Sequence, residues 1–376
     1  MTTPKSFIPP PMPFDGIGEL RKIANSLPGG AVDLTVGNPI DPVPEVVIQS
    51  LKDHDLARPY PDLAGRQTII GEAINEWSKK QLKTAINPSD YGLCIGTKEF
   101  VAGAPKILSL RDPLRDTVLY PEVAYPSYAM GADLAGCRAV PVSMDSEWKI
   151  DVSSIDPKDA KRSLMLWINT PGNPAGGLDD LETVVEWGRE YSVPIFSDEC
   201  YVEFTWGGPA QSVLQYGTEG VVAVHSLSKR SNLAGLRFGF YAGDPKIVSY
   251  FREIRRHQGL MVSGHAQVAG IAALGDQEHV EVQRERYRNR LERLIKILAR
   301  LDIKTDMPGG SFYLWVKAPD WGITDLALFL AYELGIVSVP GETYGPEGSD
   351  YIRLAAIVSE ENLLLLEKRV EDLSKN

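Results

Sequence analysis

The chain has 376 residues and a mass of 41.4 kDa, beyond the size at which one hydrophobic core stops growing, so we expect two packed subdomains. It is 43% apolar and 24% charged, which excludes a disordered or fibrous protein. Its net charge of −11 opposes nonspecific binding to nucleic acid or an anionic membrane, and its apolar runs are too short to cross a bilayer. The Pro-rich N-terminus does not resemble a signal peptide, so we expect a cytoplasmic protein.

Cysteine and histidine patterns give no sign of a disulfide framework or a metal site. The three cysteines contain no C-x-x-C pair, and the five histidines contain no H-x-x-x-H pair.

The first 45 residues contain nine prolines, which predicts an arm over the surface rather than a long helix or a central strand. Apolar residues then recur at helical spacing from about 44 to 82 on both sides of a break at 57–65. This pattern predicts a helix, a turn and a second helix.

Between residues 91 and 243, seven short apolar runs alternate with helical patterns. The runs are residues 93–95, 117–119, 139–142, 164–168, 194–196, 221–224 and 238–240. Continuous apolar runs indicate strands that are buried on both faces, so we predict an α/β fold with a mostly parallel sheet sandwiched by helices.

The last hundred residues predict a second, smaller α+β layer. It comprises an amphipathic helix at about 279–301, strands at 312–316, 336–339 and 351–354, and a closing helix at 360–373. We therefore divide the chain into an arm with part of the small domain (1–44), a large domain (45–278) and a small C-terminal domain (279–376).

Polar residues that follow the predicted strands are the first candidates for a binding site, because ligands of open α/β sheets lie beyond the carboxyl ends of the strands. Four such segments are residues 96–99, 169–177, 197–201 and 225–230. Taken alone, the first is most often a helix cap and the second a tight turn. A buried Asp198 requires a cationic or N–H partner.

Lys229 follows a buried strand and two serines, and it precedes a stretch with Gly235 that an exposed helix would not favour. An amine can form an imine with an aldehyde cofactor, while hydroxyls and Arg237 can bind its phosphate and a carboxylate can pair with a ring nitrogen. This set of groups predicts a site for a phosphorylated aldehyde cofactor.

The order of these motifs resembles the fold-type I pyridoxal-phosphate enzymes, specifically the class I/II aminotransferases. The family's N-P-x-G lies at 173–176, its D-x-x-Y at 198–201, and its S-x-S-K at 226–229, with Arg237 eight positions further on. Intervals of 25 and 31 residues between Asn173, Asp198 and Lys229 each fit one crossover. Ala175 departs from the usual Thr, but the neighbouring Asn is the residue that contacts the cofactor in the family.

The resemblance implies a fold-type I transferase with a seven-stranded sheet, pyridoxal 5′-phosphate as cofactor and a role for each matched residue. Lys229 would form the resting Schiff base and then move the proton, Asp198 would hold the pyridine nitrogen protonated, and Asn173 and Tyr201 would bind the ring oxygen. Tyr125 would stack on the ring. The implied phosphate-binding residues are Thr97, Lys98, Ser226, Ser228 and Arg237.

The resemblance also implies how substrate and subunits meet. Arg353 would bind the substrate α-carboxylate near Gly37 and Asn173, and Tyr60 would reach the phosphate of the neighbouring subunit in a homodimer. The segments at 36–44, 95–99, 197–201 and 225–229 are most similar to actinobacterial N-succinyldiaminopimelate aminotransferases. The implied substrates are glutamate with 2-oxoglutarate, and N-succinyl-2-amino-6-oxopimelate.

These substrates carry further carboxylates and require a second cationic site, for which we hypothesise Lys98 or the cluster 255–257. Alternatively, Arg255 and Arg256 face water.

Three other functions remain open: another aminotransferase, including one for aspartate, a C–S lyase, or a decarboxylase on the same fold. A regulator would require a DNA-binding domain, and a nicotinamide enzyme would require G-x-G-x-x-G after the first strand. Neither feature is found.

Overall fold

The structure, a computed structural model, describes residues 17–52, 56, 58–61, 64–319, 325–373 and 375. Its strands are β1 (Val32–Asp33), β2 (Tyr91–Ile95), β3 (Thr117–Pro121), β4 (Arg138–Val142), β5 (Ser163–Asn169), β6 (Ile195–Asp198), β7 (Val221–Ser226), β8 (Phe238–Gly243), β9 (Tyr313–Lys317), β10 (Ile336–Val337), β11 (Val339–Pro340) and β12 (Tyr351–Ala355).

Its helices are α1 (Gly18–Asn25), α2 (Glu45–Ser50), α3 (Ala64–Gln81), α4 (Thr97–Arg111), α5 (Ser127–Ala135), α6 (Pro157–Arg162), α7 (Leu181–Tyr191), α8 (Leu227–Arg230), α9 (Pro245–His257), α10 (Gly264–Gly275), α11 (Glu278–Ala299), α12 (Leu326–Glu333) and α13 (Glu360–Leu373). Aspartates cap the N-termini of several of them: the Asp244 and Asp325 side chains, for example, accept backbone N–H groups in the first turns of α9 and α12.

The large sheet has the strand order β2-β8-β7-β6-β5-β3-β4, in which only β8 runs antiparallel to its neighbours. Every residue of β5, β6, β7 and β8 is buried, as their continuous apolar runs predict. The predicted mostly parallel seven-stranded sheet is therefore confirmed. One detail is wrong: β4 is an edge strand with exposed residues, and Pro141 within it could not donate to a further strand.

A smaller unit is built on the antiparallel sheet β11-β12-β9 and the parallel pair β1-β10. The predicted single strand at 336–339 is wrong, because the run divides at Ser338: β10 pairs with β1, and β11 pairs with β12. The predicted closing helix coincides with α13. A separate core cluster fills this unit, including Tyr287, Leu330 and Leu354.

The N-terminal segment packs on this smaller unit, since β1 pairs with β10 and α1 lies against α12. The predicted helix, turn and second helix correspond to α2 and α3. Residues 1–16 of the predicted arm, and 57, 62 and 63 of the predicted break, lie outside the described residues. None of the helices in the described part of the chain combines the length and apolar character that a membrane span requires.

Candidate active site

A cavity of about 460 Å³ opens where β5, β6 and β7 end and the small antiparallel sheet faces them. Parallel strands end at one edge of a sheet, so residues distant in the chain meet there. The predicted site residues that line the cavity are Gly37, Thr97, Lys98, Tyr125, Asn173, Asp198, Tyr201, Ser226, Ser228, Lys229, Arg237 and Arg353. The exception is Tyr60, which is 80% exposed and lies outside the cavity.

Lys229 lies in the single turn of α8, directly after the buried strand β7. The Ser226 hydroxyl accepts the Ser228 N–H (3.1 Å) and so starts this turn. The Lys229 ammonium donates to the Gly37 carbonyl, which belongs to the N-terminal segment. Burial lowers the pKa of Lys229, so its amine loses a proton more easily than a surface lysine would.

Asp198 ends β6 with a buried carboxylate. The Tyr128 hydroxyl donates to Oδ2 (3.1 Å) and the Cys200 N–H donates to Oδ1 (3.3 Å). These N–H and O–H donors meet the predicted need for a partner, and no Lys or Arg of the described residues forms an ion pair with this carboxylate. Burial raises the pKa of Asp198, while the Cys200 and Tyr128 donors partly oppose that rise. A cationic N–H donor in the cavity would therefore be bound strongly.

Arg353 reaches the same cavity from β12. Its Nη1 donates to Asn173 Oδ1 (2.8 Å) and its Nη2 donates to the Thr35 carbonyl, whereas its buried Nε has no hydrogen-bond partner. Asn169 holds the neighbouring backbone: its Nδ2 donates to the Asp198 carbonyl and its Oδ1 accepts the Asn173 N–H, both at 2.7 Å. Guanidinium and amide are thereby placed side by side.

The other end of the cavity can bind an anion. Gly96 has a φ of +71° and starts α4, whose first N–H groups at Thr97 have no intrahelical acceptor. The Arg237 guanidinium packs so closely on Gly96 that a Cβ there would overlap it. A helix N-terminus, hydroxyls and a guanidinium together provide the donors that a phosphate requires.

Further cavity residues to which the sequence assigned no role include Tyr128, Asn169, Cys200, Tyr313 and Tyr344. Asn169 and Cys200 lie within the candidate segments 169–177 and 197–201 that follow predicted strands, but neither received a role from the sequence. Tyr128 lies three positions after Tyr125, and its N–H donates to the Tyr125 carbonyl (3.2 Å) in the turn that leads into α5. Tyr313 and Tyr344 carry no local signal, because their positions depend on how the small sheet packs on the large one.

The structure contradicts both interpretations of Arg255. It does not line the cavity, and it does not face water, because it is only 2% exposed. Its guanidinium instead pairs with the Glu99 carboxylate, with Nη1 donating to Oε2 at 3.0 Å. Arg256 and His257 are exposed and also lie outside the cavity lining. Of the residues hypothesised for the second cationic site, Lys98 is therefore the one that lines the cavity.

Comparisons with known proteins identify the family. Residues 30–369 match the family model described as aminotransferase class I and II. A probable aminotransferase of Mycobacterium tuberculosis is 35% identical over 94% of this chain and 83% of its own length. An LL-diaminopimelate aminotransferase of Aquifex aeolicus is 33% identical over 91% of each chain. The solved structure of a probable N-succinyldiaminopimelate aminotransferase from Thermus thermophilus has a TM-score of 0.85 at 27% identity, covering 96% of this chain and 99% of the other.

The residues of the cavity fit the family's cofactor. The buried Asp198 carboxylate suits a protonated ring nitrogen, the Gly96 turn with Arg237 suits a phosphate, and the buried Lys229 amine suits an aldehyde. The chain belongs to the class I and II aminotransferases, pyridoxal-phosphate-dependent enzymes that exchange an amino group between amino and keto acids.

Proposed function

We propose that this aminotransferase takes an amino group from glutamate and transfers it to N-succinyl-2-amino-6-oxopimelate. The observation that carries this proposal is one cavity whose lining includes the Lys229 amine and, besides Arg237 at the phosphate end, two further cations, Arg353 and the exposed Lys98. Each substrate has a carboxylate for Arg353 and at least one more for Lys98. The resemblance in fold to a probable N-succinyldiaminopimelate aminotransferase supports the same substrate.

The proposed roles follow from where the side chains lie. Pyridoxal phosphate, when bound, supplies an aldehyde and an electron-withdrawing ring that stabilises negative charge at the substrate α-carbon. The Lys229 Nζ removes and returns the proton at that carbon, and the Asp198 carboxylate holds the proton on the ring nitrogen. Asn173 and Tyr201 would donate hydrogen bonds to the ring oxygen, and Tyr125 would stack on the ring.

Two groups of side chains hold the charged ends. The residues proposed to bind the phosphate are Thr97, Lys98, Ser226, Ser228 and Arg237. Arg353 binds the α-carboxylate, next to Gly37 and Asn173. The Lys98 Nζ lies 5.6 Å from the centroid of the Tyr125 ring. We assign this ammonium either to the phosphate or to a distal carboxylate of the substrate.

A second candidate substrate is LL-diaminopimelate itself, because several relatives at about a third identity over most of the chain carry the name LL-diaminopimelate aminotransferase. It shares the pimelate skeleton and lacks the succinyl carboxylate. A preference for the succinylated acceptor therefore depends on the second cation, and Lys98→Met should reduce that preference while leaving smaller acceptors less affected.

We also propose a cytoplasmic homodimer in which Tyr60 completes the partner's phosphate site. Tyr60 is exposed, and its neighbour Pro61 is held on α10 by the Gln267 amide (3.1 Å). Mixing Lys229→Ala chains with Tyr60→Ala chains tests this proposal. If Tyr60 acts across the interface, hybrid dimers contain one intact site and recover activity that neither variant has alone; if it acts within one chain, they recover none.

The deciding experiment is a panel of amino acceptors with glutamate as donor, scored by release of 2-oxoglutarate. Succinylated aminooxopimelate should exceed oxaloacetate and pyruvate, and the opposite order would overturn the substrate. LL-diaminopimelate with 2-oxoglutarate tests the second candidate. Release of a thiol, ammonia and pyruvate from a thioether amino acid, with no keto acid added as amino acceptor, would indicate a C–S lyase instead. Lys229→Ala is the control that should abolish every one of these reactions.

A further inference from the structure

Arg353 is 3% exposed, yet its charge is not neutralised by a carboxylate anywhere in the described parts of the chain. Its hydrogen-bond acceptors are uncharged, namely the Asn173 amide oxygen and the Thr35 carbonyl. A buried cation without an anionic partner is costly, so other groups must stabilise it.

Two aromatic rings stabilise the Arg353 charge instead of a carboxylate. The Arg353 Cζ lies 4.2 Å from the centroid of the Tyr313 ring and 5.0 Å from that of the Tyr344 ring. Both distances are within the range of a cation–π contact, which is strongest where water is excluded. Tyr313 and Tyr344 are themselves only 3% and 5% exposed, so these contacts are desolvated.

The two rings reach Arg353 from different parts of the fold. In the register of β9 with β12, Ala355 is opposite Tyr313 and Arg353 is opposite Trp315, so Tyr313 and Arg353 are diagonal neighbours on one sheet face. Tyr344 ends the short helical turn Gly341–Tyr344, and its carbonyl accepts the Ala124 N–H (2.9 Å) beside Tyr125. Tyr344 therefore connects the small sheet to the large-sheet side of the cavity.

Rings and carboxylates stabilise a guanidinium with different consequences. A carboxylate partner occupies the N–H donors and cancels the charge, as Glu99 does for Arg255. A ring contacts the flat face of the cation and leaves its edge available, and the Arg353 Nε has no partner. Such an arginine keeps both charge and a free donor for an anion from the cavity.

We propose that Tyr344, together with Tyr313, is a positioning residue that holds Arg353 by its aromatic face and so keeps the guanidinium charged and available to the carboxylate of the substrate. This inference rests on the proposed role of Arg353, and it adds that the ring, rather than the hydroxyl, of Tyr344 determines the affinity for carboxylates.

The test compares Tyr344→Phe with Tyr344→Leu in the holoenzyme. Tyr344→Phe keeps the ring and should bind glutarate, a dicarboxylate without an amino group, within about twofold of the wild type by calorimetry. Tyr344→Leu should weaken glutarate binding and raise the KM for glutamate about 30-fold, which corresponds to about 2 kcal/mol for a desolvated cation–π contact. The kcat should change much less, and a simple alkylamine, which has no carboxylate, should react with the cofactor at the wild-type rate.

A trifluorinated phenylalanine placed at position 344 keeps the shape while weakening the negative face of the ring, so its affinity for glutarate should lie between those of the Phe and Leu variants. It also replaces the Leu variant if that protein does not fold. Tyr351→Phe, on the same strand as Arg353, is the matched control and should leave binding unchanged.

The outcomes distinguish the positioning role of Tyr344 from the proposed role of Arg353 in binding the substrate carboxylate. If Arg353→Leu abolishes glutarate binding but Tyr344→Leu and the fluorinated ring do not weaken it, the proposed role of Tyr344 in positioning Arg353 is wrong, and the role of Arg353 itself stands. If Arg353→Leu has no effect on glutarate, the proposed carboxylate site itself is wrong. Equal losses in the Phe and Leu variants would assign the effect to the hydroxyl and overturn the inference.

Discussion

Arg353 and Arg255 are both buried and each lies against two aromatic rings, Tyr313 and Tyr344 for the first, Phe100 and Tyr241 for the second. They differ in one partner. Arg255 pairs with Glu99, whereas the portion of the chain described here holds no acidic partner for Arg353. Burial and aromatic packing therefore do not distinguish a structural arginine from one that can bind a ligand; the presence of its own carboxylate does.

The Arg255 pair connects three elements beside the cavity without lining it. Arg255 is on α9, and the Glu99 carboxylate that it holds also accepts the Ile95 N–H (2.7 Å) at the end of β2. Glu99 lies in the first turn of α4, whose N-terminus at Thr97 borders the cavity. We therefore expect Arg255 to stabilise the fold and Arg353 to bind substrate. Three measurements examine that contrast, and a fourth examines a buried carboxyl that has no arginine partner.

The largest effect is expected for Arg353→Leu. Loss of a buried, hydrogen-bonded partner of the substrate carboxylate should lower kcat/KM for glutamate about 10³-fold, or about 4 kcal/mol. The free energy of unfolding should change little, because no protein carboxylate is left unpaired. Steady-state kinetics and urea unfolding measure the two quantities. A large loss of stability with unchanged kcat/KM would reverse the assignment.

Arg255→Leu should show the opposite pattern. Removing the guanidinium leaves the Glu99 carboxylate unpaired, so the free energy of unfolding should fall by about 3 kcal/mol, near the low end for a buried pair since Glu99 is 28% exposed. The KM for glutamate should stay within a few fold. The double variant with Glu99→Gln should recover part of the lost stability, and a failure to recover any would show that the pair is not the cause.

Asn173→Asp would give Arg353 the kind of partner that Arg255 already has. Asn173 Oδ1 lies 2.8 Å from the Arg353 Nη1, so a carboxylate there would pair with the guanidinium and compete with substrate. Glutarate affinity, measured by calorimetry, should fall about 100-fold. Asn173→Ala, which removes the amide without adding charge, is the control and should lose much less. Equal losses of glutarate affinity in the two variants would show that the added carboxylate does not compete with the substrate for Arg353.

The smallest effect concerns a buried carboxyl that lacks an arginine. Glu199 lies 3.4 Å from His225, and burial raises the pKa of Glu199 to about 8 and lowers the pKa of His225 to about 3. Because folded Glu199 keeps a proton that the unfolded chain has lost above about pH 4.5, its contribution to stability falls as the pH rises towards 8.

Between pH 6.5 and 8 the wild type should therefore lose about 2 kcal/mol more of its free energy of unfolding than Glu199→Gln does. The contribution of His225 to stability falls as the pH drops below about 6.5, because His225 is protonated there in the unfolded chain but not in the folded chain until about pH 3. Urea unfolding measured from about pH 4 to about pH 8 covers both effects. Parallel curves for the two proteins would show that Glu199 is ionised at neutral pH.

Much of the fold and the cofactor site can be predicted from the sequence. Continuous apolar runs identify β5, β6 and β7, and the polar residues that follow them are Asn173, Asp198 and Lys229. Their mutual proximity follows from the rule that parallel strands end at one edge of a sheet. The edge strand β4 and the division of the run at Ser338 could not be predicted, because an apolar run does not show which strand will be its neighbour.

Local pattern alone determined the central strands of the large sheet, the crossovers between them and thus the identity of the residues at their ends. Only the tertiary structure decided the electrostatic state of those residues. Arg255 and Glu99 are 156 positions apart, Arg353 and Asn173 are 180 apart, and Tyr344 reaches Arg353 through the packing of one sheet on another. Whether a buried charge is cancelled or kept depends on which distant side chain lies within a few ångströms, because screening is weak in a protein interior.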